Sequence, residues 1–212
     1  LSVHADVAPR TVLRWLLMLA LPAAVWPLLA WLHGAPQADG ALTLRDARFV
    51  ADATWRPPER SAPGEPRTLP DDWRRAPGGR LAGWYALPFA VERASDEPWA
   101  VYLPAVSMNA AVYLDGELVG DGGRFAEPVA RNWSRPLFWP LSGVAPTPGA
   151  HVLHVRVQAD LPDTGLLERV YVGPVSVLEP LYARRYILKV EAVWVITLCL
   201  VIVGAFTGAL WV

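Results

Sequence analysis

The sequence is poor in cysteine and histidine and carries no excess of charge of either sign. Cys199 is the single cysteine among 212 residues, which excludes an intrachain disulfide framework and a cysteine-based zinc cluster. Only four histidines are present, so no metal and no cofactor are expected. The 19 Lys and Arg residues balance 20 Asp and Glu residues. This balance argues against a nucleic-acid partner and against an acidic disordered tail.

Proline is abundant in the middle of the chain and scarce near its ends. All but three of the 21 prolines lie between His33 and Arg184. An interior proline breaks an α-helix because it removes a backbone hydrogen bond and clashes with the preceding turn. The middle is therefore expected to consist of short strands and turns.

Two uncharged apolar runs flank this middle segment, at residues 15–32 and 192–212. Each is about as long as the ~20 residues that cross a bilayer, so each is expected to be a membrane helix. A cleaved signal peptide is the alternative for the first run. Arg10 and Arg14 precede it, which predicts a cytoplasmic tail at 1–14 and a middle on the outer side. The chain is expected to be part of a longer protein.

Seven runs in the middle have the composition or the alternation of β-strands. They lie at residues 42–50, 84–92, 99–103, 107–114, 136–141, 151–158 and 170–178. The run at 151–158 alternates, which predicts one buried and one polar face, with His151 and His154 on opposite faces.

Turn residues separate the predicted strands. Asp115-Gly116 between two apolar runs predicts a β-hairpin. The proline-rich residues 56–79 are expected to form an extended surface loop. The fold class is therefore mainly β, with residues 34–180 forming an antiparallel jelly-roll β-sandwich flanked by two transmembrane helices.

Residues 181–191 show a helical spacing of apolar side chains and lead into the second apolar run. Flexible linkers are rich in glycine and serine, and this segment has neither, so we expect a stiff connector. Arg184, Arg185 and Lys189 are the residues expected to pass a movement of the domain to the membrane helix.

Four stretches carry a family resemblance. They are residues 68–73 (TLPDDW), 83–89 (GWYALPF), 106–120 (VSMNAAVYLDGELVG) and 148–157 (PGAHVLHVRV). Together they resemble the galactose-binding-like jelly-roll domain that opens β-galactosidases and β-glucuronidases. The same module occurs in extracellular sensors of bacterial receptors with diverse intracellular signalling modules.

The flanking apolar runs make the setting similar to the periplasmic input domain of a sensor histidine kinase of Gram-negative bacteria. This resemblance implies a protein of the bacterial inner (plasma) membrane with its central domain in the periplasm. It also implies two-component signal transduction, with the kinase activity in a part of the parent chain beyond this sequence.

No catalytic arrangement is recognisable in the sequence, and no catalytic residue is assigned. Asp71 and Asp72 adjoin Pro70 and Trp73, so they are interpreted as loop carboxylates that are solvated or cap a turn. The catalytic acids of the resembled glycosidases lie in a separate barrel domain. Whether the parent protein is an enzyme is left open at this point.

Two polar loops, at 120–125 and 130–136, are the candidate ligand-binding region. Their candidate residues are Arg124, Arg131, Asn132 and Trp133, since arginine and asparagine supply directed donors and an indole face stacks on a sugar ring or a cation. In the alternative interpretation Trp133 and Trp139 pack in the core, and Arg124 or Arg131 pairs with Asp121 or Glu127. Core positions are expected for Trp73, Trp84 and Asn109.

Three functions follow from these observations. The first is a ligand-sensing input region that passes a binding signal through the connector to the membrane helix. The second is a membrane-anchored carbohydrate-binding module or the leading domain of a glycoside hydrolase. The third is an envelope scaffold for protein interaction. The expected partners are the lipid bilayer and a periplasmic small molecule, glycan or protein, and homodimer formation is left open.

Overall fold

The computed structural model describes residues 38–60, 62–141 and 147–210. The predicted tail at 1–14 and the first predicted membrane helix at 15–32 lie outside these residues, in a unit that ends at Gln37. The architecture below belongs to the unit that begins at Ala38.

Most of the described residues belong to short antiparallel β-strands. The strands are β1 (Leu42–Leu44), β2 (Asp46–Val50), β3 (Glu65–Thr68), β4 (Asp71–Asp72), β5 (Ala82–Val91), β6 (Trp99–Leu103), β7 (Val106–Ser107), β8 (Asn109–Leu114), β9 (Glu117–Asp121), β10 (Leu137–Pro140), β11 (Gly149–Gln158), β12 (Leu166–Leu167) and β13 (Val170–Pro174). They form a four-stranded sheet β1-β13-β6-β10, a six-stranded sheet β3-β2-β5-β11-β8-β9 and a three-stranded sheet β4-β12-β7.

The six-stranded and four-stranded sheets share one apolar core. Leu87, Val112 and Val155 of the larger sheet and Val101 and Val172 of the smaller sheet are fully buried in it. Alternate residues of each strand supply these side chains, as the two-residue period of a strand requires. Burying each one stabilises the fold by about 1.5–3 kcal/mol. The predicted mainly β, antiparallel architecture is confirmed, and two sheets sharing one core are consistent with a sandwich.

The small sheet lies beside the sandwich and contains part of the segment predicted to be an extended loop. The prediction for residues 56–79 was wrong where β3, β4 and a 3₁₀ turn at Trp73–Arg75 form. β3 is an edge strand, and an edge strand tolerates proline (here Pro66) because it does not need every backbone donor.

Trp73 fixes the small sheet to the sandwich, in the core position expected for it. Its indole Nε1 donates to the Tyr85 hydroxyl at 2.6 Å, and that hydroxyl donates to Asp71 at 2.8 Å. Gly165 lies against the indole, where a Cβ atom would stand 2.3 Å from the ring, so only glycine fits.

The predicted hairpin is confirmed between β8 and β9. Asp115 and Gly116 both have positive φ angles, 52° and 97°, as a type I′ turn requires. The strands at 42–50 and 107–114 are each interrupted, at Arg45 and at Met108, so each run forms two strands.

The strand predicted at 170–178 is wrong at its end. β13 stops at Pro174, and helix α1 (Val175–Tyr186) follows directly. Val175, Leu178 and Leu181 repeat at helical spacing, and α1 lays this face on the outer side of the four-stranded sheet. A strand pattern and a short helix pattern are hard to separate in a valine-rich run.

Helix α1 continues through a π-helical turn at Ile187–Glu191 into helix α2 (Ala192–Leu210). The predicted connector is thus helical, and the helix begins before Leu181. Among the helices of the described residues, none combines the length and the apolar character needed to cross a membrane. The second predicted membrane helix is therefore not confirmed.

The polar face predicted for β11 carries His154 and Arg156, and a loop covers it. Trp84 Nε1 and Arg156 Nε both donate to the Thr54 carbonyl, at 3.1 Å each. His154 on this face is 2% exposed, and neither ring nitrogen has a hydrogen-bond partner among the described residues.

His151, on the opposite face, is bound on both sides. Its Nδ1 lies 2.5 Å from an Asp115 carboxylate oxygen and its Nε2 lies 2.6 Å from the Thr147 carbonyl. Burial lowers the pKa of His151, but these two hydrogen bonds outweigh burial and the net pKa is raised. The pKa of His154 is lowered, because burial and then the charge of Arg60 disfavour its protonated form.

The two histidines are expected to act on stability in opposite directions. His154 contributes stability that is present above pH 6.5 and is lost as the pH falls through its lowered pKa. His151 contributes stability that is present below pH 6.5 and is lost as the pH rises through its raised pKa. Thermal midpoints measured from about pH 7.5 to about pH 5 test this. Compared with the wild type, His154→Phe should lose less thermal stability on acidification, and His151→Phe should lose more. If both variants change the pH dependence of the thermal midpoint in the same direction, the assignment is contradicted.

Candidate ligand-binding site

A pocket of about 730 Å³ opens where the small sheet meets the end of the sandwich. Its walls come from β7, β12, the turn after β4, the loop before β10 and the helical connector. The side chains that matter for its chemistry are Arg74, Ser107, Arg131, Trp133, Arg185 and Lys189.

The pocket brings together two groups of residues that the sequence assigned to separate roles. Arg131 and Trp133 were ligand candidates, and Arg185 and Lys189 were connector candidates. Trp133 is 60% exposed, so the interpretation that placed it in the core was wrong. Trp139 instead lies partly buried against the core, as that interpretation expected.

Asn132 lies inside the fold and is not available to a ligand. It is 1% exposed, and its Nδ2 donates to Asn109 Oδ1 at 2.7 Å and to the Gly122 carbonyl at 2.8 Å. Its Oδ1 accepts from Arg135 Nε at 2.6 Å. The assignment of Asn132 as a ligand donor is therefore corrected, because its side chain is buried and both of its Nδ2 donor sites bind protein oxygens.

The same amide pair holds the glycine-rich loop. Asn109 Nδ2 donates to the carbonyls of Gly123 and Arg124, at 3.1 and 3.2 Å. A Cβ atom on Gly122 would stand 2.1 Å from Asn109 Oδ1, so only glycine permits this contact. The core position expected for Asn109 is confirmed, since its side chain is fully buried.

Arg124 does not line this pocket. Its Nη2 donates to the Glu127 carbonyl at 2.8 Å, and Asp121 caps the Gly123 N–H at 2.8 Å. The side chains of Arg124 and Asp121 therefore bind within their own loop, and the loop carrying Arg131 and Trp133 supplies the ligand candidates.

The carboxylates that line the pocket are already engaged. Glu168 pairs with Arg185 at 2.6 Å, and Asp160 accepts from the Leu161 N–H and the Thr164 hydroxyl, at 3.0 and 3.2 Å. Among the described residues, no hydrogen bond or ion pair engages the side chain of Arg131. Four cationic and two anionic side chains line the pocket, so its lining carries a net positive charge.

Lys189 is one of these cations. No carboxylate of the described residues lies within ion-pair distance of its ammonium group. Partial burial, and then the charge of Arg185, lower the pKa of Lys189, and the opposing charge of Glu168 does not reverse this shift. Arg184 precedes these residues on the helix but is not among the side chains that line the pocket.

Sequence reasoning missed Arg74, Ser107 and Glu168 as parts of this site. They are distant from each other in the chain and meet only because β4, β12 and β7 pair in the small sheet. β12 and β4 are two-residue strands, too short for any periodicity to reveal.

Asp71 and Asp72 take structural roles. Asp71 accepts from Tyr85, and Asp72 caps the 3₁₀ turn and pairs with Arg74 at 2.7 Å.

Within the ranges that the structure covers, no cluster of three or more histidine, cysteine or acidic side chains has a metal-binding arrangement.

The architecture defines a jelly-roll-like domain, and comparison with solved structures places it among known folds. A glycosyl hydrolase family 2 member from Bacteroides cellulosilyticus is similar, at 14% identity and a TM-score of 0.50, over 63% of this chain and 20% of that chain. A GH2 β-galacturonidase from Eisenbergiella tayi, bound to glycerol, has 17% identity and a TM-score of 0.47, over 63% and 24%. No family model and no curated protein matches the sequence.

The likeness to these hydrolases concerns the fold alone. The chain spans about a fifth of the length of the Bacteroides cellulosilyticus protein. Its mainly antiparallel β architecture is consistent with a galactose-binding-like jelly roll, as the sequence resemblance implied.

Replacing Asn132 is expected to damage the fold. In Asn132→Ala, the buried amide of Asn109 loses a partner, and leaving such a group unsatisfied costs about 1–3 kcal/mol. The free energy of unfolding in urea measures this loss. The control Arg131→Ala removes an exposed neighbour and should change stability by less than about 0.5 kcal/mol. Equal losses in both variants would contradict the structural role of Asn132.

Proposed function

We propose that the chain is the ligand-sensing input region of a membrane-bound signalling receptor. The supporting observation is that one pocket is lined both by the sandwich loop carrying Arg131 and Trp133 and by the connector residues Arg185 and Lys189. A molecule in this pocket contacts the domain and the connector at once.

Binding acts in this proposal by shifting a population. A ligand that bridges the loop and the connector favours the arrangement in which both contact it, and disfavours others. Leu178 and Leu181 hold the first part of α1 on the sheet, so movement is confined to the segment after it. The π-helical turn at Ile187–Glu191 lies there, and such turns are frequent at functional sites.

Attachment to the membrane belongs to the same proposal. The large apolar side chains of α2 are exposed, among them Trp194 at 74% and Leu200 at 67%. The sequence from 192 to 212 has no charged residue. Apolar side chains on every face of a helix favour an apolar environment. We place the sandwich in the periplasm and the helix in the bacterial inner membrane, in a sensor histidine kinase.

Cysteine labelling tests this placement, because Cys199 is the only thiol of the chain. In membranes, Cys199 is expected to resist a membrane-impermeant maleimide and to react after denaturation, because lipid surrounds it. In a Cys199→Ser background, Ser134→Cys is expected to react in intact spheroplasts, since Ser134 is exposed on the domain. Rapid labelling of Cys199 in membranes contradicts attachment. Labelling of the Ser134→Cys variant only after permeabilisation contradicts the orientation.

Transmission through the connector is testable in the full-length gene product. Insertion of Gly-Gly after Glu191 interrupts the helix at the start of α2 and is expected to change autophosphorylation with labelled ATP in membranes. The matched control is Gly-Gly after Glu92, in an exposed loop between β5 and β6. A wild-type protein without autophosphorylation, or equal effects of both insertions, overturns the sensor-kinase proposal.

A second candidate function is the leading domain of a glycoside hydrolase or a membrane-anchored carbohydrate-binding module. The fold likeness to a family 2 glycosyl hydrolase supports it. Sequencing the gene downstream of the codon for Val212 separates the two proposals. A hydrolase requires a further domain with paired carboxylates, and a receptor requires an intracellular signalling domain.

A further inference from the structure

We propose that the pocket beside the connector binds a small organic anion, whose carboxylate or phosphate group lies between Arg131 and Lys189. This inference deepens the proposed function, since it names the ligand class of the same pocket. It rests on the side chains that line the pocket and on their existing partners.

Cationic charge is left over in the pocket after its side chains have paired with one another. Four cationic side chains line the pocket (Arg74, Arg131, Arg185 and Lys189), and Arg74 and Arg185 each pair with a carboxylate, Asp72 and Glu168. Arg131 and Lys189 come from elements far apart in the sequence and line the same space without an acidic partner among the described residues. An anionic group between them supplies the missing partner.

One buried donor beside the pocket has no acceptor. The Nε of Arg185 is buried and has no hydrogen-bond partner among the described residues, although Nη2 of the same guanidinium binds Glu168. Because a buried donor without an acceptor is costly, a small shift of the Arg185 side chain that brings Nε to a ligand oxygen would be favoured. Ser107 adds a hydroxyl to the same wall.

The aromatic wall and the volume of the pocket indicate what kind of molecule would carry the anionic group. Trp133 lines this pocket and is largely exposed, and a flat aromatic face packs against an apolar or sugar-like ring. The volume of about 730 Å³ falls in the range of about 300–1,000 Å³ that is typical of small-molecule sites. The combination favours an organic molecule with one anionic group over a bare inorganic ion.

Two sources of such a group are consistent with the geometry. One is a soluble organic acid or phosphate ester. The other is an anionic lipid headgroup, since Lys189 lies only three residues before α2, the helix that we place in the membrane. The shared chemistry is an anionic group bound by Arg131 and Lys189. Titrating a soluble anion and, separately, changing the lipid headgroup distinguishes the two sources.

The experiment measures the thermal midpoint of the whole chain in nanodiscs at constant ionic strength, because salt screens exposed charges. In phosphatidylcholine discs, D-glucuronate is titrated against D-glucose, which lacks its carboxylate. In parallel, the chain is placed in discs containing phosphatidylglycerol without added ligand. The variants are Arg131→Gln and Lys189→Gln. The matched control is Arg93→Gln, at an exposed arginine outside the pocket.

Saturable stabilisation by glucuronate but not by glucose supports the soluble source, and stabilisation in phosphatidylglycerol discs alone supports the lipid source. In either case Arg131→Gln and Lys189→Gln should each weaken the effect about tenfold in half-saturating concentration or lipid content, while Arg93→Gln leaves it unchanged. The proposal is overturned if no arm shows stabilisation, if glucose and glucuronate have equal effects, or if Arg93→Gln weakens the stabilisation as much as the two pocket variants do.

Autophosphorylation of the full-length protein does not depend on these results, so failure of anion binding and failure of the receptor proposal are distinguishable.

Discussion

The buried amide pair of Asn109 and Asn132 is the contact on which the candidate site depends. It joins strand β8 to the loop before β10 and uses all the hydrogen-bonding groups of the Asn132 side chain. A buried polar network of this kind is stabilising only when every member has its partner, and it then specifies one arrangement. Because Asn132 points inward, its neighbours Arg131 and Trp133 are directed outward into the pocket.

The second constraint is the position of α1 on the outer face of the four-stranded sheet. Leu178 and Leu181 pack there against Ala100 and Tyr102. This contact holds the start of the connector on the sandwich and places Arg185 beside Glu168 at the pocket wall. The loop carrying Arg131 and Trp133 and the helical connector line the same pocket, so a ligand bound there would contact both.

Much of the fold could be predicted from the sequence, and the predictions that failed did so for physical reasons. Alternation located β11, and the Asp115-Gly116 pair located the hairpin, because both depend on neighbouring residues. The helix from Val175 was missed because valine is favoured in strands and the run is short. Alternation predicted the polar face of β11 but could not show that a loop distant in the chain covers it, because the contact between Arg156 and the Thr54 carbonyl joins residues about a hundred positions apart.

The sequence predicted ligand binding for Arg131, Asn132 and Trp133 alike, but only Arg131 and Trp133 line the pocket. Adjacent residues of an extended loop point in different directions, and only tertiary contacts decide which one is buried. The sequence by itself determined the sandwich, its hairpin and the helical connector, because local propensity and periodicity encode them. Only the tertiary structure decided that the loop and the connector share one pocket, since that meeting depends on pairing between β4, β7 and β12, which no local pattern records.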